Sequence, residues 1–310
     1  MRVVVAGATG FIGTSLVRAL QQRGDDVIVL TRSPRRALQE LGGNVEAVQW
    51  DPRSRGPWMD VFRGAGAAIN LAGHTVASPF RPWTAEEKGR IRSSRLDATN
   101  AVVDAIIRAE PRPRVLINAS AVGYYGSRGG EILTETSAPG SDFLAQVVVD
   151  WEAAARRVEG HGVRLVLSRS GIVLGRGGGI LQYFTLPFRF FGGGTMGEPD
   201  QWVSWIHLDD EVGLFLLALD DDRAQGPTNF TAPNPVTMQQ FSGEIGQAMH
   251  RPSWVPFYGS MMRLTLGQRA SVALLASQRA VPEAALRDGY EFRYRRSDEA
   301  LRSLLGSGGR

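Results

Sequence analysis

The stretch "RVVVAGATGFIG" (2–13) restricts the possible folds more than any other part of the chain. Arg2 to Ala6 read as a buried strand, and Phe11 to Gly24 carry apolar residues at helical spacing and end on glycine. Between them Gly7, Gly10 and Gly13 stand three residues apart. The first permits a tight turn, the second lets backbone approach a pyrophosphate, and the third lets the helix pack close to the strand. The helix N-terminus, with Thr9, Phe11 and Ile12 around it, offers oriented N–H groups to an anion. Strand, glycine turn and helix in this order open a doubly wound α/β sheet that binds a dinucleotide.

The remaining sequence keeps that rhythm. Further strands are expected at 26–32, 44–51, 67–73, 115–121 and 164–175, with helices at Ala85 to Ala109 and over "DFLAQVVVDWEAAARRVEG". Alternating strands and helices predict the fold class: α/β, a Rossmann doubly wound parallel sheet with a smaller C-terminal substrate or cap region. The glycine-rich loops "GRGGG" and "FFGGGTMG" around the aromatic "YFTLPFRFF" shape a cleft and not a sheet. In "VSWIHLDDEVGLFLLALDD" strand gives way to helix, with Asp209 or Asp210 expected as the cap. The expected division is 1–175 with 203–230 for the Rossmann domain, and 176–202 with 231–310 for the substrate or cap domain.

The end of the second strand selects the nucleotide. An acidic residue there holds the ribose hydroxyls of NAD. Asp25 and Asp26 fall at the wrong end of that strand, whose carboxyl end reads Thr31, Arg32, Ser33, then Arg35 and Arg36. Guanidinium groups bind a 2′-phosphate through paired, charge-assisted hydrogen bonds, so NADP(H) is the expected cofactor. Leu71, Ala72 and Gly73 close the fourth strand at the same edge and line the cofactor track. Asp51 reads either as an acceptor for the adenine amino group or as the turn carboxylate of "WDPRS".

Several other chemistries find no sequence support. No cysteine is present, so disulfides, thiolate nucleophiles and Cys-ligated metals are excluded, and a reducing compartment, the cytoplasm, is expected. The four histidines are dispersed, and no metal site is expected. The net charge of +4 is spread along the chain without a basic block interleaved with aromatics, which argues against nucleic acid. The longest apolar runs fall far short of the roughly 20 residues of a membrane span. A glycine motif inside the N-terminal apolar run argues against its removal as a signal peptide. The expected partner is a small molecule, with the oligomeric state left open.

"GATGFIG", "NLAG", "SAVGYYG", "RSGIVLG" and "WIHLDD", in that order, resemble the extended and atypical short-chain dehydrogenase/reductases. "DWEAAA", "GPTNFTAPNPVT" and "SQRAVPEAALRDGYEF" narrow the resemblance to the subgroup called epimerase family proteins, whose C-terminal domain has no assigned function. The resemblance implies a nucleotide-binding Rossmann domain and NADP(H). Typical members carry Tyr-x-x-x-Lys on the helix after the serine strand, where the lysine helps tune the tyrosine as a proton donor. Here "DFLAQVVVDWE" holds neither residue. Ser120 reads as a donor to a substrate carbonyl or hydroxyl, or as a strand-end serine satisfied locally; Tyr124 and Tyr125 read as a replacement phenol or as packing aromatics.

The single lysine, Lys88, forms a helical stripe with Arg92 and Arg95 that reads as an anion-binding pocket face or as a solvated surface. His207 reads as pocket-lining or structural. The expected function is an NADP(H)-dependent oxidoreductase or epimerase acting on a small anionic or sugar-like substrate. The alternative is a catalytically silent NADP(H)-binding sensor or partner-binding module.

Overall fold

The computed structural model describes residues 1–42, 44–76, 84–255 and 276–306. Its first half runs β1 (Arg2–Ala6), α1 (Phe11–Gln22), β2 (Asp26–Thr31), α2 (Pro34–Leu41), β3 (Val45–Gln49), β4 (Ala67–Asn70), α3 (Ala85–Arg108) and β5 (Val115–Ala121). The second half continues with β6 (Ile132–Leu133), α4 (Phe143–Arg156), β7 (Arg164–Ser170), β8 (Ile172–Leu174), α5 (Leu181–Arg189), β9 (Trp202–Val203), β10 (Trp205–His207), α6 (Leu208–Asp220) and β11 (Gly226–Phe230). It closes with β12 (Val236–Thr237), α7 (Met238–Met249), β13 (Arg279–Ala280), α8 (Glu283–Arg287) and α9 (Ser297–Leu305). The stretches 256–275 and 307–310 of the expected cap region lie outside the described residues.

Seven strands pair in parallel in the order β11-β7-β5-β4-β1-β2-β3. A parallel sheet covered by helices on both faces needs strands that are apolar throughout, which "VVVA", "VIVL" and "VLIN" supply. Alternate residues go to opposite faces. Val3, Val5, Val27, Val29, Ile69 and Ile117 pack with Leu16 and Leu20 of α1 and Leu214 and Phe215 of α6. Val4, Ala6, Ile28, Leu30, Ala68 and Leu116 pack instead with Val102, Val103 and Ile106 of α3 and Ala155 of α4. A third core joins Phe184 and Phe188 of α5 to Trp205, Phe241, Ile245 and Leu301.

Two local expectations are corrected. The strand expected over 164–175 is two strands in different sheets: β7 pairs with β5 and β11, and β8 pairs with β10. The break falls at Gly171, where a Cβ would stand 2.7 Å from the Ser204 carbonyl oxygen, so only glycine lets the 204 backbone come that close. The cap of α6 is neither Asp209 nor Asp210 but His207, whose ring Nδ1 accepts from the Asp209 N–H at 3.0 Å. The aromatic segment after the first glycine run lies largely in α5, its Phe184 and Phe188 rings buried in the third core.

Candidate active site

The strand order reverses between β1 and β4, because the chain runs outward through β2 and β3 before returning to the other side of β1. Such a reversal leaves a crevice at the carboxyl ends of the strands. Gly7 follows β1 with φ of +80°, and a Cβ there would lie 2.7 Å from the Leu71 carbonyl carbon. Leu71 N donates to Ala6 O at 2.9 Å, so Leu71 and Ala72 form the opposite wall. Gly10 N closes the turn onto Gly7 O at 3.0 Å. A Cβ on Gly13 would fall 2.4 Å from that same oxygen, so glycine there is what lets α1 sit down on the turn.

Gly10 caps α1 without a side chain, and the first N–H groups, at Phe11, Ile12 and Gly13, have no acceptor within the helix. With Thr9 and Gly10 exposed, the positive end of α1 opens onto the crevice. The Phe11 ring fills the space under the "GRGGG" run, where a Cβ on Gly175, Gly178 or Gly179 would come within 2.8, 2.5 and 2.8 Å of it.

At the end of β2, Arg32, Arg35 and Arg36 are all exposed. Arg36 Nε bonds Glu40 Oε1 at 2.6 Å, an exposed pair of small net value. Arg32 and Arg35 have no carboxylate within ion-pair distance among the described residues. The Thr31 hydroxyl accepts from Ser33 N at 3.2 Å. Asp51 takes the turn geometry, its Oδ1 accepting from Arg53 N at 3.0 Å. Asp25 lies at the opposite end of β2, paired with the N-terminal amine and Arg23.

The cationic stripe on α3 turns toward α4. Lys88 Nζ lies 5.2 Å from the centre of the Phe143 ring, and Arg92 pairs with Asp150 at 2.9 Å. Arg95 differs from both. Its guanidinium packs over Trp151 and lies against Gly73, where a Cβ would stand 3.5 Å from its Cζ. Its Nη1 donates to the carbonyls of His74 and Ile91, both at 3.0 Å, and no carboxylate pairs with it among the described residues. Burial lowers its guanidinium to about 10. A cation so placed at the crevice wall favours an anion beside it.

Register brings Asn70 opposite Asn118. Asn70 Nδ2 donates to Asn118 Oδ1 at 2.7 Å and to the Thr99 hydroxyl at 3.0 Å, while Trp151 Nε1 donates to the same hydroxyl at 2.8 Å. The network ties β4, β5, α3 and α4 together below the crevice.

One strand step beyond Asn118, Ser120 Oγ donates to Glu152 Oε1 at 2.6 Å. Glu152 is gripped by Arg169 through both oxygens, at 2.8 and 2.9 Å. Burial depresses the Arg169 guanidinium, but the bonds and charge of Glu152 outweigh it and leave the group raised. Arg169 also donates to the Tyr125 hydroxyl at 3.1 Å and stacks 3.5 Å from the Tyr124 ring centre. Tyr125 is 0% exposed and gives its proton to Asn229 Oδ1 at 2.6 Å; burial pushes its phenol up to about 12. Of the two readings left open for Tyr125, its burial and its bond to Asn229 match the packing aromatic, while Tyr124 keeps a half-buried ring on a short 3-10 turn at Val122–Tyr125.

His207 is buried, caps α6 and stacks 3.9 Å from Tyr294, which makes its placement structural. Asp210 holds the C-terminal segment by accepting from Arg293 N at 2.7 Å and Tyr294 N at 2.9 Å. Glu211 is 0% exposed, takes one bond from the Ser170 hydroxyl at 2.6 Å, and has no partner for Oε2 among the described residues. Burial pushes its carboxyl from 4.5 up to about 8. A folded value above the unfolded one means stability present at acid pH and lost as pH rises through about 8. Glu211→Gln is expected to remove that loss, gaining up to about 4 kcal/mol between pH 5 and pH 8. Urea melts of both proteins across that range check it; parallel pH profiles would contradict it.

The residues overlooked in the sequence are Asn70, Glu152, Arg169 and, as a crevice residue, Arg95. A signal existed for two: the twin runs "AAIN" and "VLIN" both end on asparagine, and "RLVLSRS" carries arginine inside an apolar strand. Among the described residues no cluster of three metal-ligating side chains occurs, and no helix is long and apolar enough to cross a membrane.

Residues 3–231 match the model of the NAD dependent epimerase/dehydratase family, and residues 259–304 match a domain of unknown function, DUF1731. The chain is 39% identical to the chloroplastic homologue of epimerase family protein SDR39U1 from Arabidopsis thaliana, over 98% of this chain and 87% of that one. It is 37% identical to epimerase family protein YfhF of Bacillus subtilis, over 98% of both chains. Among solved structures, human epimerase family protein SDR39U1 (isoform 2) with NADPH superposes with a TM-score of 0.88 at 33% identity, over 98% of this chain and 99% of that one. The UDP-glucose 4-epimerase of Thermus thermophilus with NAD, at 19% identity, TM-score 0.79 and 98% coverage of both chains, shares the fold.

Proposed function

The chain belongs to the NAD dependent epimerase/dehydratase family, and from that premise we propose that it binds NADP(H) in the β1/β4 crevice and acts as an oxidoreductase or epimerase on a small substrate. One observation carries the reading. The bare N-terminus of α1, the glycine turn it rises from and the unpaired guanidiniums of Arg32 and Arg35 lie at the same carboxyl edge of the sheet. The α1 N–H groups take the pyrophosphate, Arg32 takes the 2′-phosphate with Arg35 or Arg36 beside it, and Arg95 adds a positive charge at the Gly73 wall. That the human relative was solved with NADPH supports the choice over NAD. When bound, the cofactor supplies a hydride acceptor or donor. Ser120 then orients the substrate at the end of β5, and the buried residues around it exclude water.

Arg32→Ala is expected to weaken NADPH binding by roughly 10–100-fold while leaving NADH nearly unchanged, the loss of charge-assisted bonds to one phosphate. Fluorescence titration with each nucleotide checks this; equal losses for both would place Arg32 elsewhere.

The second reading, a silent NADP(H)-binding sensor or partner-binding module, is favoured by α4, which carries neither tyrosine nor lysine. Following NADPH absorbance with fractionated metabolites separates the two. Fraction-dependent oxidation supports the enzyme, and stoichiometric binding without oxidation supports the module. In the enzyme reading the partner is a small-molecule substrate, and in both readings the cysteine-free chain suits a reducing compartment such as the cytoplasm.

A further inference from the structure

Hydrogen-bond polarity at the end of β5 limits what the site can recognise. Ser120 has one hydroxyl proton, and it goes to Glu152 Oε1 at 2.6 Å. A carboxylate gripped through both oxygens by Arg169 offers lone pairs and no proton in return. Arg169 has only donors, and the Tyr125 hydroxyl that accepts from it has already given its proton to Asn229. Each link therefore has a fixed direction, with Ser120 and Arg169 both donating to Glu152 and the rest running from Arg169 through Tyr125 to Asn229, and all five side chains are buried. Turning the Ser120 proton toward a ligand would strip a charge-assisted bond from a buried carboxylate, a cost of about 1.5–3 kcal/mol.

We propose that Ser120 meets its ligand as a hydrogen-bond acceptor and so selects substrates that present a donor there, alcohols over the matching ketones, with Glu152 as the positioning residue that fixes this polarity. Of the readings the sequence leaves open for Ser120, donation to a substrate carbonyl or hydroxyl competes with the bond the serine already gives Glu152. The inference rests on the reading of the crevice as a nicotinamide cofactor site, and it names the class of group that site takes. Glu152 acts through Ser120 and touches no substrate.

The test uses the full chain saturated with NADP+ and two matched probe pairs, 2-propanol with acetone and cyclohexanol with cyclohexanone, followed by saturation-transfer NMR. The expected result is saturation of the alcohol over its ketone by roughly tenfold, the value of one polar contact. Ser120→Ala and Glu152→Gln bring the ratio to about one, and Ser120→Thr, which keeps the hydroxyl, retains it. Ser120→Ala leaves the Glu152–Arg169 pair intact, so it reports even where Glu152→Gln fails to fold. Equal or ketone-favouring saturation in the wild type, saturation of neither probe, or a ratio unmoved by Ser120→Ala overturns the proposal. A parallel NADP+ titration keeps the two readings apart: failure to bind the nucleotide sinks the cofactor site, whereas normal binding with an unfavourable ratio sinks only the acceptor role.

Discussion

Arg169→Met is expected to destabilise the protein by about 3–5 kcal/mol, the cost of leaving a buried carboxylate without its partner. Both side chains of the Arg169–Glu152 pair are nearly inaccessible, and the arginine also supports Tyr125 and the backbone carbonyl of Glu135. The double variant Arg169→Met with Glu152→Leu is expected to regain more than half of the loss, because an apolar pair of similar volume carries no desolvation penalty. Urea denaturation of the single and double variants checks this as a cycle. Additive losses would mean that the two residues act independently and that the polarity assigned to Ser120 lacks its anchor.

Gly13→Ala is expected to abolish measurable NADPH binding, a loss of roughly 100-fold or more, because overpacking at this point displaces the anion-binding end of the helix. The added methyl would stand 2.4 Å from Gly7 O and 2.8 Å from Ala8 backbone, neither of which can move without shifting the turn. Gly89→Ala is the control. That position lies inside α3 with nothing within 4 Å of a Cβ, so the same change there is expected to leave binding intact and gain roughly 0.5–1 kcal/mol of stability. Tight NADPH binding by Gly13→Ala would show that α1 does not need to sit against Gly7.

The elements legible in the sequence were those whose causes are local. Turn glycines, strand hydrophobicity and the spacing of α1 lie within a dozen residues, and "VLINASA" runs over the same seven residues in sequence and structure. What escaped notice depends on partners distant in the chain. Gly171 breaks a strand because Ser204 backbone presses against it, and nothing within "RSGIVLG" announces that approach. His207 takes the cap that "LDD" promised to an aspartate because α6 begins at Leu208, which puts both aspartates inside its first turn, where Asp210 is engaged at Arg293 and Tyr294, 83 and 84 residues away. Glu152 and Arg169 meet only because α4 packs against β5 and β7, so the serine's polarity cannot be read from "SAVGYYG" alone. The arginine cluster after β2 was legible as charge, but the engagement of Arg36 with Glu40 was not separated from Arg32 and Arg35, which have no carboxylate partner among the described residues.

The dinucleotide proposed for the β1/β4 crevice meets the arginines after β2 through its extra phosphate. Isothermal titration of the purified full chain with NADPH and, separately, NADH tests it most directly. Saturable binding of NADPH at least roughly tenfold tighter than that of NADH is expected, the value of charge-assisted bonds to one phosphate. No binding of NADPH at millimolar concentration, or tighter binding of NADH, would contradict it.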